Sequence, residues 1–359
     1  MTMTMTMTTD RCSSAPHQLV LTERIALPIS SHYDDDDDDD AEAAITEALL
    51  ITLNRPTKKN CFNTQLCREL ATVFYNVANE IEGYDNDDLT TATADDTDGV
   101  SDGDKRRRRR RIVAVLFTGA GQSFCAGADL TNPPNPIHQS SDLAHHLRYN
   151  PVYQISRVGV PIIGVLRGHV ITGGFELALA CDILLGDTTT TFRDTHVKFG
   201  LAPCWGLSQN LCRRIGIGRA KLVSFSAQPV TAERAYEWGL LDELVMVPPP
   251  VASASHSISI SVDGNKATTT TMVVDPVLYR ALELAEAISS NNPLMVRRYK
   301  RAIVEGTKLN YSNGLQRERE LGLAHYMEIV GDGRTFESAK EYIVDHDGRQ
   351  QVVVSQSKL

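Results

Sequence analysis

Glu176 sits two residues after Gly174 in the run PIIGVLRGHVITGGFELALACDILLG (161–186), where its type and position could support acid–base chemistry. Pro161 to Leu166 is short, apolar and β-branched, as a buried strand would be. Gly173-Gly174 breaks that pattern. Phe175 to Cys181 then carries the helix formers Leu177, Ala178, Leu179 and Ala180, and Ile183 to Leu185 returns to strand character. The start of such a helix leaves backbone N–H groups unpaired, at the positive end of the helix dipole. That is a place to hold an oxygen that becomes negative during a reaction. Glu176, in the first turn of the same helix, adds a base within reach. Taken singly, a first-turn Glu often only complements the dipole, and a Gly pair often only makes a tight turn.

A second Gly-rich turn follows the apolar strand IVAVLFT (112–118) and reads GAGQSFCAGADL (119–130). It is not a dinucleotide fingerprint, because GxGxxG fails at Phe124, and it lacks the GxxxxGK[ST] pattern of a phosphate loop. The run Gly206-Leu207-Ser208-Gln209-Asn210 likewise fails GxSxG, so no nucleophile elbow is expected. His145 and His146 are adjacent and point to different helix faces, against a joint metal site. The seven cysteines form no CxxC pair and are odd in number. Cys125 and Cys181, in apolar company, are expected to be small core residues, with neither a zinc site nor a disulfide framework.

The surrounding elements read as an α/β chain. His17 to Ile25 and Ile45 to Leu53 are expected strands, joined by a hairpin loop expanded by Asp34 to Asp40. In Gln65 to Ile81, Leu66, Leu70, Val73, Phe74, Val77 and Ile81 recur at helical spacing. Leu143 to Val158 mixes helix and turn, Thr231 to Trp238 is a short helix stopped by Gly239, and Leu240 to Val245 follows it. From Pro276 the chain reads as helical. One face carries Leu278, Leu282, Ala285 and Ile288, a second Val296, Tyr299 and Ile303, and a third Phe336, Ala339, Tyr342 and Ile343. This helical region is expected to pack on the α/β body or on a neighbouring subunit.

At 359 residues, 42% apolar and 23% charged, the chain can bury a large core. Its net charge of −9 belongs to insertions: Asp34 to Asp40 contribute −7 and residues 85–111 a further −1, leaving about −1 elsewhere. Lys105 to Arg111 could be a nuclear signal or nucleic-acid patch. The Asp-rich neighbours can neutralise it and no aromatic residues interleave for stacking, so nucleic-acid binding is not expected. No apolar run is long enough to span a bilayer, and MTMTMTMTTDR lacks the features of a secretory signal. Ser357-Lys358-Leu359 reads as a peroxisomal address for an import receptor.

Taken together, SFCAGADL (123–130) and PIIGVLRGHVITGGFELALACDIL some fifty residues later closely resemble the enoyl-CoA hydratase/isomerase (crotonase) family. ALLITLNRPTKKNCF resembles its first-strand segment and Thr231 to Leu240 its TAxxAxxxGL stretch. FRDTHVKFGLAPCWGLSQ with the terminal S-K-L is most similar to the peroxisomal monofunctional hydratases of plant type. The resemblance covers roughly 17–30, 45–84, 112–245 and 276–345.

The resemblance implies a spiral of ββα units over 17–245, with insertions at 31–44 and 84–111. An insertion or linker at 246–275 and a C-terminal helical oligomerisation region at 276–345 would follow. Residues 1–16 form an expected disordered tail, and 346–359 a tail carrying the address. It further implies an acyl-CoA substrate, no metal, nicotinamide or flavin, no membrane, and a homotrimer or hexamer. The backbone N–H groups of Ala126 and Gly173 would form an oxyanion hole, and Ala126, Gly127, Ala128 and Asp129 would lie along CoA. Of the two glutamates used by family hydratases, the first falls on Glu176 and the second on His196. His196 could carry a proton near neutral pH, with Asp194 two residues away, or merely line the pocket while Glu176 handles water alone. Trp205 would shape the acyl pocket. The expected reaction is hydration of 2-trans-enoyl-CoA to 3-hydroxyacyl-CoA in peroxisomal β-oxidation. The alternatives are Δ3,Δ2-enoyl-CoA isomerisation, which one carboxylate can perform, or a non-catalytic acyl-CoA-binding subunit.

Overall fold

The computed structural model describes residues 6–8, 18–27, 45–91, 110–132, 147–246, 257–260, 270–273 and 275–331. It divides into two compact units, Met1–Arg297 and Arg298–Leu359. With strands numbered in chain order, the first unit is built on a seven-stranded sheet. Its spatial order is β1 (Thr6–Thr8), β2 (Val20–Ala26), β3 (Ile45–Leu53), β4 (Arg110–Gly119), β5 (Ile162–Leu166), β7 (Ile183–Asp187) and β10 (Glu243–Val245). The first two pairings are antiparallel, and every pairing from β3 to β10 is parallel. A smaller sheet joins β6 (His169–Ile171), β8 (Thr191–Arg193) and β9 (Val230–Thr231).

Parallel strands covered on both faces carry near-continuous apolar runs rather than alternation, which explains IVAVLFT. Alternate residues of β4 enter two separate cores. Val115 and Phe117 pack with Leu66, Leu70, Phe74 and Ile81 of the helix Thr64–Thr91. Ala114 and Leu116 join Val277, Ala281, Leu282 and Ala285 of the helix Pro276–Ser289. Phe117 stacks edge-on against Phe74 (5.4 Å) and Phe124 (5.2 Å). The last contact anchors the second Gly-rich turn to the core. Burying each such ring contributes about 1.5–3 kcal/mol.

Several boundaries differ from expectation. The helix expected at 65–81 runs on to Thr91, entering the expected insertion, and is capped at its start by Asn63, whose Oδ1 accepts from the Leu66 N–H (2.9 Å). At the other end of that insertion Arg110 already belongs to β4 and pairs with the buried carboxylate of Glu47 (3.0 Å), which also holds Arg24 (3.2 Å). Thr6–Thr8 is a strand paired with Arg24–Ala26, which corrects the expectation of a wholly disordered 1–16. Within 246–275, Ser257–Ile260 and Thr270–Val273 pair as antiparallel strands (β11, β12); the alternating Ser-Ile and Thr-rich sequences suit that conformation. Helices Leu207–Ile215 and Ile217–Ser226, separated by Gly216 in the left-handed region (φ +81°), form where no element was expected.

The second unit is helical. It contains most of Pro293–Gly306 and all of Tyr311–Gly331, joined by Glu305, which accepts from Arg301 (2.7 Å) and Arg317 (2.6 Å). Of the second apolar face, Tyr299 and Ile303 are 73% and 53% exposed in the single chain. The Asp run, most of the basic run, the His145-His146 pair, Pro248 to Pro250, the 336–343 helix and Ser357 to Leu359 lie outside the described residues.

Candidate active site

Two parallel strands launch the candidate catalytic groups. β6 and β8 pair in register, with Ile171 opposite Arg193. Past Ile171 the chain enters the helix Gly173–Leu179; past Arg193 it enters Asp194, Thr195 and the short 3-10 turn His196–Lys198. The Thr172 N–H donates to the Arg193 carbonyl (2.9 Å), and the Thr195 N–H donates to Thr172 Oγ1 (3.1 Å). Glu176 and His196 are thereby brought face to face, with Glu176 Oε2 3.8 Å from His196 Nε2. Thr172, a β-branched residue, has φ +52°. Such a conformation costs about 1–3 kcal/mol and persists only where surrounding bonds impose it, as these do.

Glu176 and His196 are both buried, 3% and 6% exposed. The two oxygens of Glu176 have different duties. Oε1 accepts from the backbone N–H of Trp205 (2.9 Å) and of Leu207 (3.3 Å), at the start of the helix Leu207–Ile215. Oε2 is left to face His196. Burial is the largest influence on Glu176 and raises its pKa above the ordinary carboxylate value, against the backbone donors and the nearby imidazole, which favour the charged form. For His196 burial is again the largest influence and disfavours the imidazolium. The hydrogen bond to Asp194 and the charges of Glu176 and Asp194 outweigh it, so the pKa rises. A base poised upward and an acid stabilised in its charged form thus share one small space.

The second Gly-rich turn lies against the first. The Cys125 N–H donates to the His169 carbonyl (3.0 Å) and the Ile171 N–H to the Cys125 carbonyl (3.0 Å). The approach is so close that a Cβ on Gly174 would stand 2.3 Å from the Cys125 carbonyl oxygen. On its other side the turn is held by Arg55 to Phe62. Asn60 is wholly buried and left-handed (φ +55°). Its Nδ2 donates to the carbonyls of Ala120 (2.9 Å) and Ser123 (2.7 Å), and its Oδ1 accepts from the Arg55 N–H (2.8 Å). Arg55 in turn pairs with Asp129 (2.9 Å). Hydrogen bonds from Thr131, and then from Arg55, hold the Asp129 carboxyl at a pKa of about 2. Its side chain is therefore engaged in holding the turn.

One expected donor is corrected. The Ala126 N–H donates to the Lys59 carbonyl (3.0 Å) and is spent there, so Ala126 does not supply an oxyanion donor. The chain then pairs with Phe62: the Phe62 N–H donates to the Gly127 carbonyl and the Asp129 N–H to the Phe62 carbonyl, both 2.9 Å. Ala128, between the bonded residues of this parallel bridge, turns its own N–H to the opposite side. Among the described residues the N–H groups of Ala128 and Gly173 have no acceptor. Gly173 itself is packed on the ring of Phe62, which lies 5.1 Å from Trp205.

Sequence reasoning singled out Glu176, His196, Gly173 and the 126–129 turn, and noted Asp194 only for its proximity. It missed Arg55, Asn60, Phe62 and the Thr172–Thr195 pair. The available signal was the polar content of LNRPTKKN, a segment between strand and helix that would otherwise need no Arg or Asn. Cys125 and Cys181 are buried, as expected, and neither forms a disulfide.

With this geometry in view, likeness to known proteins becomes specific. The family described as "Enoyl-CoA hydratase/isomerase" matches residues 104–256. The "Probable enoyl-CoA hydratase 1, peroxisomal" of Arabidopsis thaliana is 32% identical over 301 residues, covering 84% of this chain and 91% of that protein. The "Short-chain-enoyl-CoA hydratase" of Clostridium acetobutylicum is 26% identical, covering 81% and 88%. Among solved structures, that of an enoyl-CoA hydratase from Bacillus anthracis is similar with a TM-score of 0.55 at 25% identity, covering 80% of this chain and 93% of that one. The parallel-rich sheet, the paired Gly-rich turns and the C-terminal helices share the crotonase-type α/β architecture, and the chain belongs to the enoyl-CoA hydratase/isomerase family.

Proposed function

We propose that this protein hydrates 2-trans-enoyl-CoA thioesters to 3-hydroxyacyl-CoA, using its own side chains and backbone without a metal or redox cofactor. The observation that carries the reading is the division of labour at Glu176: Oε1 is pinned by two backbone donors while Oε2 faces His196 Nε2 at 3.8 Å. A water oxygen at about 2.8 Å from each atom fits that separation. The thioester carbonyl would lie against the N–H groups of Ala128 and Gly173, next to the residues 126–129 that would follow CoA. As the water oxygen bonds to C3, its proton passes to Glu176 Oε2, and negative charge develops on the thioester oxygen. Each backbone donor there is worth about 3–4 kcal/mol of transition-state stabilisation. C2 then takes a proton from His196 Nε2, and Glu176 returns its proton to His196. The substrate has gained one water and the protein is unchanged.

The names of the relatives support the substrate class. The cellular setting we propose is peroxisomal fatty-acid breakdown, supported by the peroxisomal Arabidopsis relative.

The test follows the loss of conjugated thioester absorbance of a 2-trans-enoyl-CoA, comparing wild type with Glu176→Gln. The expected result is rapid hydration that falls by about 10²–10⁴-fold in the variant, the contribution of a positioned general base. Conversion of a 3-enoyl-CoA to its conjugated isomer, without water addition, would replace the reading with isomerisation. Tight thioester binding with no turnover would replace it with a binding subunit.

A further inference from the structure

Asp194 has no role in the steps above, yet it is the most fully engaged group around His196. Its Oδ1 lies 2.7 Å from His196 Nδ1 and also accepts the His196 backbone N–H (3.0 Å). It is buried, and a hydrogen bond from Ser224, on the helix Ile217–Ser226, reaches it from outside the segment. An ionised carboxylate can only accept. Nδ1 must therefore be the donor, and the other ring nitrogen, Nε2, is the one turned toward Glu176 Oε2.

We propose that Asp194 is the positioning residue of this site, locking the His196 ring with Nδ1 as donor so that Nε2 is the atom that exchanges a proton with substrate. This rests on the hydratase reading for its chemical meaning. With Nδ1–H committed to Asp194, the steps above require one further proton on Nε2, with Glu176 ionised to take the proton of water; it is the proton the C2 step consumes and Glu176 restores. Asp194 favours the charged ring, in keeping with the upward displacement of His196 despite its burial. Among the described residues the titratable groups facing His196 are Asp194 on its own segment and Glu176 on the helix Gly173–Leu179. Cys204 lies beyond, in the field of Glu176.

The bland alternative is that Asp194 only closes the backbone turn through the His196 N–H. Asp194→Asn separates the two, because the amide oxygen can still accept that N–H while the charge is lost. In full-length protein, kcat for a 2-trans-enoyl-CoA is expected to fall on the order of a hundredfold, with KM little changed. The alkaline limb of the kcat–pH profile should move to lower pH by about one unit, because the charged imidazole has lost its carboxylate. Long-range ¹⁵N NMR of the His196 ring, read without substrate, should show Nδ1 protonated in wild type and a lower titration midpoint in the variant. Asp194→Glu should restore part of the alkaline limb.

An unchanged pH profile and an unchanged ¹⁵N titration in Asp194→Asn would overturn the proposal, while leaving wild-type hydration, and so the hydratase reading, intact. A wild type that hydrates nothing but shows the ¹⁵N shift would do the opposite: the positioning role stands and the hydratase reading falls. Should Asp194→Asn fail to fold, the wild-type ¹⁵N spectrum decides alone, and an Nδ1 without its proton overturns the lock.

Discussion

Asn60 lies outside the reacting groups, but its replacement should loosen the turn that presents the Ala128 N–H. The side chain is wholly buried and makes three hydrogen bonds, two to carbonyls of the turn at Ala120 and Ser123 and one from the Arg55 N–H. A net contribution of about 0.5–1.5 kcal/mol per bond, with the upper end favoured because the partners are left buried, predicts a loss of about 3–4 kcal/mol in Asn60→Gly. Asn60→Ala loses the same bonds and must also hold φ at +55°. The left-handed conformation costs alanine about 1–2 kcal/mol, partly offset by the greater unfolded-state freedom of glycine. The alanine variant should therefore be the less stable by about 1 kcal/mol. Urea unfolding of the three proteins gives both differences, and kcat/KM at a temperature where all are folded reports the turn. A loss under about 1 kcal/mol in either variant, or an alanine variant as stable as the glycine one, would refute the argument that this side chain and its backbone hold the turn.

Two further outcomes can be checked independently. The Asp129 carboxyl is held at about 2 by Thr131 and Arg55, below the unfolded value of about 3.9. Its stabilisation is thus present above about pH 4 and lost as pH falls toward 2. The acid-side slope of the urea midpoint against pH should flatten in Asp129→Asn, and an identical slope would contradict the pairing. In cells, full-length protein tagged at its N-terminus should collect in peroxisomes and disperse when Ser357 to Leu359 are removed; dispersal of the intact chain would count against the proposed setting.

Much of the fold was legible because its signals are local. IVAVLFT is continuous because β4 is covered on both faces, and the spacing of Leu66, Leu70, Phe74 and Ile81 marks the helix that covers one of them. The Gly-Gly-Phe-Glu order likewise fixed Glu176 in a first helical turn, since a residue two positions past a helix-starting Gly pair has little choice. Pairings between distant segments were not legible in this way. Nothing in GAGQSFCAGADL says that the Ala126 N–H meets the Lys59 carbonyl while that of Ala128 stays free; that depends on which face of the turn Phe62 bonds. Nor does the twenty-residue interval between Glu176 and His196 contain their 3.8 Å approach, which arises from the register of β6 with β8 and the bonds through Thr172. The sequence by itself determined which residue types were on hand for acid–base chemistry and which elements would carry them. Only the tertiary structure decided which N–H groups remain unspent and which nitrogen of His196 faces Glu176, because hydrogen bonds between remote strands consume some donors and leave others.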